Sequence, residues 1–342
     1  MKKRALTVSV LVTTLAISLG GCSEDSSGDG QSGGGDEKQT VNWWTWDDQQ
    51  AVSYAKCEAA FEDAHPDINV EISQYGWGDY WTKITAGFVG GTAPDAFQNH
   101  PNYYPEFADQ GQLLPLNDYL AADDFTMDRF DVGLSTWGEY KDGNTYGLPK
   151  DWSTLAFWYN EQAIVDAGLT DEDLQAMTWN PQDGGTFQEV IARLSIDENG
   201  VRGDEPGFDP KHVKVYGMST LTGGGINGQD SWAQFAPTTG WTLGDKENWP
   251  TTFQYSDSRY VDTANWIRSM VDAGYMPGFG QFSTGIAEQL GSESVAMVQG
   301  GSWYLNTFKD LKNITVKTAP SVVGPEGKRA AMSGSNADSI WA

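Results

Sequence analysis

Between residues 40 and 97 the apolar period switches back and forth between two and 3.6, and that alternation limits the possible fold more than any other feature. Residues 40–46 are aromatic and β-branched, which reads as a strand. Tyr54, Cys57, Phe61 and Ala64 then recur at i, i+3, i+7 and i+10, the stripe of a helix that Pro66 stops. Asp47 is placed to cap that helix, with Gln50 as its capping-box partner. Cys57 lies in the stripe and reads as a buried small hydrophobe rather than a reactive thiol. Ile68, Val70 and Ile72 alternate with Asn69, Glu71 and Ser73 as a second strand. Tyr80, Ile84 and Phe88 mark a second helix that ends at Gly90-Gly91, and a third strand runs through Asp95-Ala96-Phe97. A β-α-β-α-β order predicts a mostly parallel sheet covered by helices, with ligands held beyond the carboxyl ends of the strands. The loops at those ends are Trp46-Asp47, residues 74–77 and Gln98-Asn99-His100, rich in aromatic and amide side chains.

Farther along, residues 146–149 and 155–159 read as extended segments that bracket Lys150-Asp151-Trp152-Ser153. A helix over 161–167 follows, with Gly168 at its C′ position. Residues 197–210 are irregular and acidic, and 213–219 read as a strand. A glycine-rich loop, 222–228, leads to a predicted helix with Trp232 and Phe235. Residues 258–273 predict a helix whose apolar face is Val261, Ala264, Ile267 and Val271. Residues 294–298, 315–320 and 337–341 are late strand candidates, the first followed by Gly300-Gly301-Ser302-Trp303.

The chain carries 47 acidic against 21 basic residues, a formal charge of −26, and no basic run after Arg4. Nucleic-acid binding is therefore excluded, since phosphate contacts need clustered Lys and Arg. Met1-Lys2-Lys3-Arg4 and the uncharged apolar stretch 5–19 form a secretory signal too short to span a bilayer. Its exit, Leu19-Gly20-Gly21-Cys22, resembles the bacterial lipobox, and no A-x-A-like site of an ordinary secretory signal competes nearby. Cys22 is thus the expected lipidation site after a signal peptide at 1–21. Residues 22–39, mostly Ser, Gly, Asp and Glu, form a flexible tether. The mature body holds Cys57 alone and three histidines without metal-ligand spacing, so neither a disulfide framework nor a cysteine zinc site is expected.

Three further signals are weighed and set aside. Gly223, Gly225 and Gly228 satisfy G-x-G-x-x-G between a strand and a helix, but the secretory address and the late position argue against a dinucleotide. Glycines there also simply allow close backbone approach. The acidic run around Asp197, Glu198, Asp204, Glu205 and Asp209 lacks calcium-loop spacing and reads as a solvated loop. No nucleophile elbow, H-E-x-x-H or Cys–His signature is present, so no catalytic residue, metal or cofactor is expected. A glycoside hydrolase needs only two carboxylates, which keeps that rival open.

Several segments together resemble the sugar-class extracellular solute-binding proteins, family 1, of bacterial ABC importers. They are the lipobox and tether, Val41-Asn42-Trp43-Trp44-Thr45-Trp46, Phe61-Glu62-Asp63-Ala64-His65-Pro66-Asp67-Ile68-Asn69-Val70 and Gly91-Thr92-Ala93-Pro94-Asp95-Ala96-Phe97. Leu113-Leu114-Pro115-Leu116-Asn117-Asp118, Tyr146-Gly147-Leu148-Pro149 and Leu155-Ala156-Phe157-Trp158-Tyr159-Asn160 follow in order. Last come Ala296-Met297-Val298-Gln299-Gly300-Gly301-Ser302-Trp303 and Gly334-Ser335-Asn336-Ala337. The resemblance implies an α/β, two-lobe, periplasmic-binding-protein-like fold with a hinge of crossing strands. The lobes would be 40–148 and 149–331, and 332–342 would be the second crossing. The family pattern continues beyond that crossing with helices, so the C-terminal part of the pattern is expected to be missing here.

By matching position, the resemblance assigns ligand contacts to Trp46, Asp47, Asn99, Asp151, Trp152, Asn227, Trp232, Trp303 and Asn336. The tryptophans would be platforms for the apolar faces of a sugar, and the carboxylates and amides would pair with its hydroxyls. With 15 tryptophans in the chain most must pack, and Trp43, Trp158 and Trp266 are assigned to packing. For Asp47 the helix cap is an equally good account. The function implied is capture of a carbohydrate, expected to be an oligosaccharide, by a lipid-anchored monomer outside the membrane. Delivery would be to an ABC permease, without catalysis. The same fold holding a peptide, polyamine or iron chelate is the other alternative.

Overall fold

The computed structural model describes residues 38–342 apart from 131–132, 135–137, 222, 224 and 247–248. The signal segment, Cys22 and the tether up to residue 37 lie outside the described residues. The chain opens with β1 (Gln39–Thr45), α1 (Asp48–Ala64), β2 (Ile68–Gln74), α2 (Trp77–Gly90) and β3 (Ala96–Asn99). Short helices α3 (Tyr104–Asp109) and α4 (Asn117–Ala122) lead to β4 (Leu148–Pro149) and β5 (Ser153–Asn160). Next come α5 (Glu161–Asp166), α6 (Asp171–Gln175), α7 (Gly185–Leu194), β6 (Ile196–Asp197), β7 (Val213–Val215) and α8 (Ser258–Asp272). The remainder is α9 (Ile286–Gly291), β8 (Met297–Gly301), α10 (Leu305–Lys309), β9 (Val316–Ala319), β10 (Ser333–Gly334) and β11 (Ala337–Ile340).

Two larger sheets result. The first has the order β2-β1-β3-β11-β4. Its β1 lies parallel to both β2 and β3, as alternation of strand and helix demands, while β11 enters antiparallel between β3 and β4. The second sheet centres on β5, antiparallel to β8, β9 and β10. Residues 216–219 run along the free side of β8, through the Tyr216–Val295 bridge and the Ser219 N–H donated to Met297.

Both connections between the sheets are strand crossings, β4 into β5 and β10 into β11. They travel side by side: the Lys150 N–H donates to the Asn336 carbonyl at 3.0 Å. Each sheet carries its own apolar core. Tyr80, Ile84, Phe97 and Phe107 build one under α2 and α3. Phe157, Phe187, Phe235 and Trp266 centre the other.

Several local expectations need correction. The face of α1 turned toward the sheet is Gln50, Tyr54, Glu58 and Glu62, and Cys57, Phe61 and Ala64 are exposed. Of the stripe, Tyr54 meets the sheet, its ring edge-on to Trp43 at 5.1 Å, while the rest of it faces solvent. Asp47 does cap α1, accepting from the Gln49 and Gln50 N–H groups at 2.9 Å. The Gln50 side chain instead takes the Tyr54 hydroxyl, so no capping box forms. In α8 the buried row is Thr263, Trp266 and Met270, with Ile267 and Val271 at its margin and Val261 exposed. The stretch after the glycine loop forms single 3-10 turns rather than a helix. Asp197 is fully buried and not solvated, because its carboxylate accepts the backbone N–H groups of Asn199, Val201 and Asp209 and so organises the acidic loop.

Candidate functional site

The strand directions place one edge of the first sheet opposite the second sheet. β1 and β3 end there, and the register Ala337 to Asn99 and Ala337 to Pro149 sets the start of β11 beside the ends of β3 and β4. Trp46 and Asp47 therefore share that edge with His100, Lys150, Asp151 and Asn336. Asp151 and Asn336 meet directly. The carboxylate accepts the Asn336 backbone N–H at 2.8 Å and its side-chain amide at 2.9 Å, which clasps the two crossings together.

Beside this clasp sits Lys150, whose side chain is only 7% exposed. Its ammonium lies 4.8 Å from the centroid of Trp43 and 3.9 Å from that of Tyr54, with an Asp338 oxygen at 3.9 Å. Burial lowers its pKa, opposed by Asp338, Asp151 and Asp47. Burial likewise raises the carboxyl of Asp338, against the pull of Lys150 and the Trp43 indole. Trp43, half-buried and hydrogen-bonded to Asp338, thus packs as expected.

Trp46 joins an aromatic patch with Trp77 at 5.1 Å and His100 at 6.1 Å. Burial holds His100 down at about 4, against the opposing influence of the Gln229 side chain, so the imidazole is neutral at physiological pH. Asn99 is not turned toward this space. It is 1% exposed, its amide donates to the Ser339 hydroxyl at 3.2 Å, and its carbonyl accepts the His100 N–H. It ties β3 to β11, and a ligand role for it is not supported. Trp152 is 58% exposed on the first crossing, with no ring partner among the described residues.

The opposite wall is the glycine loop and the end of β8. Asn227 donates its amide to Asn102 of the β3–α3 loop at 2.5 Å, a bond across the two halves. Trp232 packs edge-on against Trp241 at 5.3 Å and Tyr260 at 5.2 Å. A Cβ on Gly228, whose φ is +59°, would overlap the Trp232 ring, so glycine is required there twice over. Trp303 follows β8 and lies 6.0 Å from Tyr304.

Two groups on this wall were not legible as site residues. Asp230 has a buried Oδ1 without a hydrogen-bond partner among the described residues, and so does Gln299 at its Oε1. They are neighbours: the Gln299 amide donates to the Gln229 and Ser231 carbonyls at 3.4 and 3.2 Å. Burial pushes the Asp230 carboxyl up to about 6, and its charge is felt by Tyr304. Gly301 faces Trp303 so closely that a Cβ would overlap the indole. Gly301→Ala should therefore displace Trp303, seen as altered tryptophan fluorescence and a melting temperature lower by several degrees.

Two α/β sheets joined by paired crossings, with rings on both sides and acceptors on one wall that have no partner among the described residues, define a two-lobe periplasmic-binding-protein-like fold. An ABC substrate-binding protein from Listeria monocytogenes, in complex with cycloalternan, shares it at a TM-score of 0.71 and 20% identity, over 89% of this chain and 71% of that one. The sugar-binding protein MalE from Xanthomonas citri matches at 0.63 and 20%, over 89% and 71%. The chain belongs to the bacterial extracellular solute-binding protein family, whose profile matches residues 56–341. Among curated relatives, the arabinooligosaccharide-binding protein of Bacillus subtilis (strain 168) is 24% identical over 184 residues, 53% of this chain and 40% of that protein. The lactose-binding protein of Rhizobium radiobacter is 28% identical over 149 residues, 41% of this chain and 33% of that protein. The aligned stretches thus span less than half the length of either relative. Members of this family are binding proteins that lie outside the cytoplasm. Among the described residues no helix is long and apolar enough to cross a membrane.

Proposed function

We propose that this protein captures a carbohydrate, an oligosaccharide, between its lobes 40–148 and 149–331, with 332–342 as the return crossing. It hands the sugar to the permease of an ABC importer. It does so as a monomer held at the outer face of the membrane through lipidated Cys22, without catalysis. The observation that carries this reading is the pair of buried acceptors, Asp230 Oδ1 and Gln299 Oε1, without a partner among the described residues, the former near Tyr304. A buried acceptor without a donor costs about 1–3 kcal/mol, and ligand hydroxyls would remove that cost. Trp46, Asp47, Asp151, Trp152, Asn227, Trp232, Trp303 and Asn336 form the remaining wall. The relatives named for arabinooligosaccharides and lactose, and the neighbour holding cycloalternan, point to the same ligand class.

The glycoside hydrolase reading is weaker. Both oxygens of Asp151 are engaged by Asn336, and Asp47 caps α1, so neither is free as a general acid. Calorimetric titration of the full chain in detergent with arabino-, manno- and malto-oligosaccharides is the test. Saturable binding with no cleavage products after prolonged incubation is expected. Hydrolysis, or no response to any saccharide, would overturn the reading.

A further inference from the structure

Residues 241–246 and 249–255 run alongside one another at the margin of the second lobe. The two limbs are joined by the isolated Gly244–Phe253 bridge and by the Gln254 N–H donated to Leu243. Asp245 stiffens the bend by accepting the Thr251 N–H, the Thr251 hydroxyl and the Thr252 N–H. At the base, the Trp241 indole donates to the Gln254 carbonyl. The arm is thus braced from within and points Trp249 away from its own lobe.

Trp249 ends in the other lobe. It stacks on Tyr104 at 5.9 Å and 21°, and meets Tyr140 edge-on at 4.9 Å. Both tyrosines belong to the first lobe's core, buried to 4% and 5% exposure. The Trp249 backbone has φ +53°, a strained setting for a large side chain, which persists only where its surroundings enforce it. A polar bond spans the same gap, from the Asn227 amide to Asn102.

We infer that the Trp249 arm is a built-in latch that holds the two lobes together without ligand, its ring seated between Tyr104 and Tyr140. The latch rests on the two-lobe reading above and adds a regulation to it: the empty receptor is biased toward closure, and ligand entry requires the ring to leave its socket.

Small-angle scattering of the ligand-free full chain tests it. Wild type and Trp249→Phe should stay compact. Trp249→Ala should raise the radius of gyration above its wild-type value, where the compact part of a chain this long has ~20 Å. Asn102→Ala removes the amide bridge without touching the socket and should shift the profile the same way, less far. Unchanged profiles for both alanine variants, with wild-type circular dichroism, would overturn the latch. Expansion of Trp249→Ala, reversed by a saccharide, supports both latch and ligand class. Expansion with no saccharide bound supports the latch alone and removes the carbohydrate reading. Saccharide binding with no expansion removes the latch alone.

Discussion

Replacing Asp230 by asparagine should make the protein melt at a higher temperature at pH 7.5 and bind its saccharide more weakly. The carboxyl is raised to about 6 by burial, whereas the unfolded chain releases that proton near 3.8. The folded state therefore holds more protons between those values, and its stability falls as pH rises from about 4 to 6. Below that window the group costs nothing, and above it the cost is complete, about 3 kcal/mol at 1.36 kcal/mol per unit. Melting curves of wild type and Asp230→Asn between pH 4 and 7.5 should converge at the acid end and separate above pH 6. Binding runs the other way. Ligand hydroxyls donating to Asp230 favour its ionised form, so affinity should increase with pH through about 6. The asparagine variant should lose roughly tenfold or more, the worth of a charge-assisted hydrogen bond. Parallel curves, or titrations with equal affinity, would remove Asp230 from the site.

Asp151→Ala should lower the melting temperature by about 5 °C, since it strands two donors of Asn336 at the point where the crossings touch. Asp151→Asn should recover much of that, because the two amides can pair once Asn336 turns over. If Asp151 served ligand alone, the alanine variant would lose affinity with its melting point intact. Calorimetric scans beside titrations separate the two cases.

The alternating strands and helices of residues 39–99 were readable because local periodicity dictates them. The order of family segments set the expected crossings near 146–159 and 332–342; β4 and β5 span 148–149 and 153–160, and β10 and β11 span 333–334 and 337–340. What stayed hidden depends on partners far along the chain. Asn99 looked like a loop amide until Ser339, 240 positions away, took it. The sheet-facing side of α1 is set by Trp43 and Lys150, which both meet Tyr54, and no pattern within the helix reports that. Asp230 was one acid among 47, and only tertiary burial sets it apart.

The central place of β11 bears on how the molecule is assembled. It fills the slot between β3 and β4, yet residues 337–340 are synthesised long after both. The second sheet's β5, β8 and β9 are complete before then, so that half can condense early. The first half must wait with two bare backbone rims, each able to recruit a stray strand from another nascent molecule. Yield in the cell would then depend on how long those rims stay uncapped, more than on the final packing of either core.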